Sequence, residues 1–172
     1  LDERTGLPSG DPRELGNNGA SNPDPALSMD GSPLVYSSGR GGADNVWVRD
    51  MGKGAEWQVT DNKNPEFHPV GVPSPTGEWV AYSVLENNRT SVYFQPVRGG
   101  ERQLGCQACS PPADWIPGTV PRLLLTRQGA NYYVDILDLN VIRTLTQHKR
   151  YPLLNPSISA DGQRVAFSSK AS

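Results

Sequence analysis

Apolar residues in this chain fall in short bursts rather than in stripes. Leu34-Val35-Tyr36-Ser37-Ser38, Trp79-Val80-Ala81-Tyr82-Ser83, Leu123-Leu124-Leu125-Thr126 and Val165-Ala166-Phe167-Ser168-Ser169 each open apolar and end in a hydroxyl residue. The first three are followed by a second burst: Asn45-Val46-Trp47-Val48-Arg49-Asp50, Ser91-Val92-Tyr93-Phe94 and Tyr132-Tyr133-Val134-Asp135-Ile136. A weaker third follows at Glu56-Trp57-Gln58-Val59-Thr60, Glu101-Arg102-Gln103-Leu104 and Arg143-Thr144-Leu145-Thr146. Such bursts, alternating or wholly apolar over a few residues, predict short strands. No window keeps an i, i+3, i+4, i+7 apolar stripe, and Pro or Gly interrupts almost every stretch, so helix is nearly excluded.

The bursts repeat as a set. Each set opens with a turn centred on Gly31, Gly77, Gly118 or Gly162, spaced about 41 to 46 residues apart. A period of about 40–45 residues with four short strands per unit is that of a propeller blade. The expected fold is therefore all-β, an incomplete β-propeller. It has three four-stranded blades at about 25–60, 64–104 and 110–146 and a partial fourth at 151–172. Residues 1–24 carry isolated leucines (Leu1, Leu7, Leu15) among Gly, Pro, Asn and charged residues, without periodicity. They read as an extended arm, either a floppy terminus or a strap whose leucines dock on a partner or on the domain's own open end.

Composition narrows the function classes. Among 172 residues, 18 Gly and 16 Pro suit many turns, and four Trp, six Tyr and three Phe supply core bulk. A formal net charge of −2, with no Lys/Arg run, argues against phosphate-backbone binding. No apolar stretch approaches the ~18–20 residues that span a bilayer. The start at Leu1 fits a removed signal peptide or a cropped sequence, and the first of these points to a periplasmic or extracellular protein.

Pro25-Ala26-Leu27-Ser28-Met29-Asp30-Gly31 and Pro156-Ser157-Ile158-Ser159-Ala160-Asp161-Gly162 share the pattern Pro-x-x-Ser-x-Asp-Gly. Followed by an apolar strand ending in Ser, an apolar-aromatic strand and Leu/Val-Thr, this pattern resembles the TolB-like β-propeller repeat. In the second unit Thr76 replaces the Asp; the third, from Pro112 to Thr146, matches by spacing more than by identity. The resemblance covers about Asn22 to Ser169. It implies a propeller module of bacterial envelope proteins that mostly serves protein–protein contact. Similar blades also accompany hydrolase and lyase domains, so fold alone assigns no activity.

No catalytic constellation stands out. Cys106-Gln107-Ala108-Cys109 lacks the His of a haem attachment, the second ligand pair of a zinc site and the strand-to-helix context of a thioredoxin motif. A local disulfide and two free thiols both remain open. His68 and His148 lie outside any ligand-spaced cluster, and Gly39-Arg40-Gly41-Gly42 reads as a hairpin turn, not a phosphate loop. Asn88-Arg89-Thr90 fits a glycosylation acceptor in form only. No cofactor is expected.

The leading expectation is a non-catalytic, extracytoplasmic binding or scaffolding subunit docked on a larger, membrane-associated protein complex. It contacts protein partners, not nucleic acid, and does not insert into the membrane. Leu1, Leu7, Leu15, Trp57, Val165 and Phe167 are its candidate interface residues, since incomplete rings leave sheet faces and edges open. The alternatives are the propeller portion of a larger hydrolase or lyase, or a carbohydrate-binding propeller.

Overall fold

The computed structural model describes residues 4–5, 10–11, 15, 22–118, 122–138 and 141–169. Among them there is no helix, and fourteen strands form four antiparallel sheets. The first sheet holds β1 (Ala26–Leu27), β2 (Pro33–Ser38), β3 (Asn45–Asp50) and β4 (Glu56–Gln58). The second holds β5 (Gly71–Pro73), β6 (Trp79–Glu86), β7 (Arg89–Pro96) and β8 (Gln103–Gln107). The third holds β9 (Pro112–Trp115), β10 (Arg122–Gln128), β11 (Tyr132–Asp138) and β12 (Val141–His148), and the fourth only β13 (Leu153–Ile158) and β14 (Val165–Ser169). Each is a meander in chain order, and β1, β5, β9 and β13 approach one another in series. The architecture is an incomplete propeller: three four-stranded blades and a two-stranded fourth.

Local chemistry sets the turns. In blade 1 the Ser28 hydroxyl donates to Asp30 Oδ1, which also accepts from the Ser32 amide, while the Gly31 amide donates to the Ser28 carbonyl at φ +74°. Blade 4 repeats this bond for bond with Ser159, Asp161, Gln163 and Gly162. Such turns favour Asp for its reach to backbone amides and Gly for its positive φ. Blade 2 keeps the Gly77-to-Ser74 bond at φ +69° with Thr76 in the Asp slot. Blade 3 departs from the pattern, with Gly118 at φ +150° after Pro117. The β6–β7 hairpin turns through Asn87 and Asn88, both at positive φ, as a two-residue hairpin requires.

The core lies between blades, because successive side chains of a strand point to opposite sheet faces. Leu123 and Leu125 of β10 join the cluster facing blade 2, with Val72, Ala81, Val92, Phe94 and Trp115. Leu124, between them, joins the cluster facing blade 4 with Ile116, Val134 and Leu153. Between blades 1 and 2 pack Val35, Val46, Val48, Val80, Tyr82 and Val97. Each such aliphatic side chain, removed from water, stabilises by about 1.5–3 kcal/mol. Gly71 permits a close approach: a Cβ there would lie 2.6 Å from Val46 and 2.9 Å from Val35. The hydroxyls that end the apolar bursts tie blades to connectors. Ser37 donates its hydroxyl to the Pro69 carbonyl of the next blade, and Ser83 Oγ accepts the Val70 amide.

Candidate interaction surface

The face of blade 1 turned away from blade 2 is built from the other half of the same alternation. Val35, Val46 and Val48 point to blade 2, which leaves Leu34, Tyr36, Trp47 and Arg49 on the opposite side. Tyr36 and Trp47 are direct cross-strand partners. The β2–β3 hairpin brings Arg40 over the Trp47 ring, 3.4 Å from its centroid, where its Nη2 also donates to the Tyr36 hydroxyl at 3.1 Å. Glu56 on β4 accepts from Arg40 Nη1 at 2.7 Å and from Arg49 Nη1 at 2.8 Å. Burial pushes the Glu56 carboxyl up, but hydrogen bonds from the two guanidinium groups outweigh it and hold the group below its ordinary pKa. Burial raises the Tyr36 phenol.

Blades 2 and 3 carry the same kind of set on the corresponding face. Arg102 lies over Tyr93 and pairs with Glu86; Arg127 lies over Tyr133 and pairs with the fully buried Asp135. An arginine stacked on a ring and bonded to a carboxylate is worth more than either contact alone in water. On blades 2 and 3 these faces look toward a preceding blade. On blade 1 the corresponding face borders a cavity of about 240 Å³ lined by Leu34, Tyr36, Arg49, Pro25, Asn22 and Leu15, and Arg49 Nη1 donates to the Leu15 carbonyl at 2.6 Å.

The other end of the fold is more apolar. On blade 4, Val165 packs inward on the blade 3–4 cluster, whereas Phe167 and Leu154 are 42% and 44% exposed. On β12, the outer strand of blade 3, Val141, Ile142 and Leu145 are exposed as well. Among the described residues β14 pairs with β13 alone.

The remaining singled-out residues lie elsewhere. Trp57 packs against the blade 1–2 cluster and donates its indole N–H to the Val97 carbonyl at 2.7 Å, which makes it a link between blades. Trp115 does the same to Val72 at 2.9 Å. Leu1 and Leu7 lie outside the described residues; Leu15 is half-buried at the blade 1 face. Cys106 and Cys109 form a disulfide around Ala108, which sits at φ +53°, and both sulfurs belong to the blade 2–3 core. His68 Nδ1 lies 2.6 Å from Asp44 Oδ2 in an exposed loop, and His148 Nδ1 accepts the amides of Arg150 and Tyr151. Among the described residues no group of three or more His, Cys, Asp or Glu is placed to hold a metal ion, and no helix is long and apolar enough to cross a membrane.

Sequence reasoning did not single out Arg40, Arg49 and Glu56. Their signal was present in β3, where Trp47 and Arg49 alternate with Val46 and Val48, but a lone strand does not say which face meets another blade.

No protein-family model matches the chain, and no curated protein matches it in sequence. Solved structures do. A TolB-assigned protein from Agrobacterium tumefaciens superposes with a TM-score of 0.70 at 22% identity, over 91% of this chain and 57% of that one. TolB from Acinetobacter baumannii gives 0.58 at 17% identity, over 83% and 36%. Hydrazine synthase from Kuenenia stuttgartiensis gives 0.60 at 17%, over 87% and 44%. The chain thus spans 36% to 57% of these longer proteins, which include an enzyme, and the likeness fixes architecture rather than activity. The chain has the TolB-like propeller fold.

Proposed function

We propose that this chain is a non-catalytic docking module that works outside the cytoplasm and presents its terminal blades to a protein partner within a larger, membrane-associated assembly. The observation that carries the reading is the set of large apolar side chains left exposed on the last two blades, Leu154 and Phe167 of blade 4 and Val141, Ile142 and Leu145 of β12. Exposed large apolar side chains favour contact with another polypeptide. The Cys106–Cys109 disulfide supports an oxidising compartment, since such bonds are rare where thiols are kept reduced. A photo-crosslinker placed at Leu154 or Phe167 in the producing cell tests the proposal. One reproducible adduct to a second protein, lost in Phe167→Asp, is expected. A monodisperse monomer with no adduct, or an adduct within the same polypeptide, would sink it.

A further inference from the structure

The face of blade 1 that looks away from blade 2 already has an occupant. Leu15 lies ten residues before blade 1 and 34 before Arg49, and it is half-buried and lines the same cavity as Leu34, Tyr36 and Pro25. Its carbonyl receives Arg49 Nη1 at 2.6 Å, and that arginine side chain is only 18% exposed and is also bonded to Glu56. Glu56 is fixed in turn by Arg40, which is clamped between the Trp47 ring and the Tyr36 hydroxyl. Arg49 is thus held in place by a network that ends in a ring–guanidinium stack, and its remaining donor capacity is aimed at a main-chain carbonyl. A guanidinium has donors to spare after one carboxylate contact, so a backbone acceptor completes it. The lining around that carbonyl is mostly carbon, suited to one aliphatic side chain.

We infer that this face is a docking site for a chain segment bearing a leucine-sized side chain, and that in the free chain it is occupied in cis by Leu15. The site reads two features of its ligand: an aliphatic side chain against Leu34 and Tyr36, and the carbonyl of the same residue by Arg49. It differs from the exposed blade 4 end in chemistry and in position, and it stands whether or not the proposed docking function holds.

The test uses the full chain. Trypsin cleaves after Arg13, two residues before the contact, and after Arg4, farther away. Leu15→Asp is expected to accelerate cleavage after Arg13 at least about five-fold and to leave cleavage after Arg4 unchanged, with Leu7→Ala as a control that changes neither. A fluorescently labelled synthetic peptide spanning residues 10–21 should bind the full-length Leu15→Asp chain at least about ten-fold more tightly than the wild type, whose own Leu15 competes. The same peptide carrying Ala for Leu15 should lose that binding. Equal cleavage after Arg13 in wild type and Leu15→Asp, or equal peptide affinity for the two chains, would overturn the inference. Native mass spectrometry of the wild type showing one copy per particle excludes the second-copy alternative, in which Leu15 seats on a neighbouring molecule; a dimer that Leu15→Asp dissolves would replace the cis assignment.

Discussion

Strands β2 and β14 are spelled alike and live differently. Leu34-Val35-Tyr36-Ser37-Ser38 and Val165-Ala166-Phe167-Ser168-Ser169 occupy the same place in their repeats, each after a Ser-x-Asp-Gly turn with the same bonds. In β2, Val35, Tyr36, Ser37 and Ser38 are all buried; in β14, every residue after Val165 is exposed. The difference lies in the neighbours. β2 sits between β1 and β3 and has blade 2 on one face, whereas among the described residues β14 has only β13 beside it. A repeat sequence therefore encodes a position within a blade, and burial follows from what stands around that blade.

The sharpest way to break the comparison is truncation of the two aromatic rings. Tyr36→Ala removes a buried ring together with a hydrogen bond from Arg40 and should cost about 3–5 kcal/mol. Phe167→Ala, 42% exposed, should cost at most about 1 kcal/mol. Urea titrations followed by tryptophan fluorescence measure both. Equal losses would mean that Phe167 is covered in solution.

The propeller was legible because strands and turns are local. The two-residue alternation and the glycines that take positive φ are visible without any knowledge of neighbours. The all-β expectation and the incomplete ring agree with the four sheets. What was not legible depends on contacts between distant elements. Arg40, Arg49 and Glu56 come from a hairpin and two strands, and in sequence each looks like a solvated charge. Trp57, flanked by Glu56 and Gln58, reads as a residue for a partner to touch, yet its indole reaches the Val97 carbonyl of the neighbouring blade. Gly71 gives no turn signal at all; its reason is the side chains of Val35 and Val46 pressed against it. The turn of blade 3 was degenerate in sequence and departs in geometry as well.

The turn glycines sharpen the comparison at intermediate cost. Gly31, Gly77 and Gly162 share nearly the same φ, +74°, +69° and +70°, so alanine pays a similar left-handed penalty of about 1–2 kcal/mol at each. Their surroundings differ. A Cβ on Gly31 meets nothing within 4 Å and one on Gly162 meets Pro117 atoms at 3.7 Å, but one on Gly77 lies 2.6 Å from Pro33 and 3.2 Å from the Asp30 carboxylate. Gly77→Ala should therefore cost about 1–2 kcal/mol more than Gly31→Ala, the strain of an overpacked contact between neighbouring blades. Similar losses at all three would show that the turns of blades 1 and 2 stand farther apart than this.

The smallest effect is also the most direct probe of whether blade 4 is as well formed as blade 1. The Asp30 carboxyl is held below its ordinary value of 3.8, first by the Ser28 hydroxyl and then by the Ser32 amide. Asp161 is lowered in the same way by the Ser159 hydroxyl and the Gln163 amide. A carboxylate whose pKa is lower in the folded than in the unfolded state stabilises the fold above the unfolded value. That contribution is lost as pH falls through the folded one. The contribution of these two carboxylates should thus be fully present above about pH 5 and fall away below about 4, with Asp30→Asn and Asp161→Asn each flattening part of that acid limb. Carboxyl-carbon NMR titration resolves the two residues separately and should place both below 3.8. If the β13–β14 pair were loosely held, its serine hydroxyl and amide would spend time away from the carboxylate. Asp161 would then titrate near 3.8 while Asp30 did not. Matching depressions would mean that the β13–β14 pair holds its turn as firmly as the four-stranded sheet of blade 1 does.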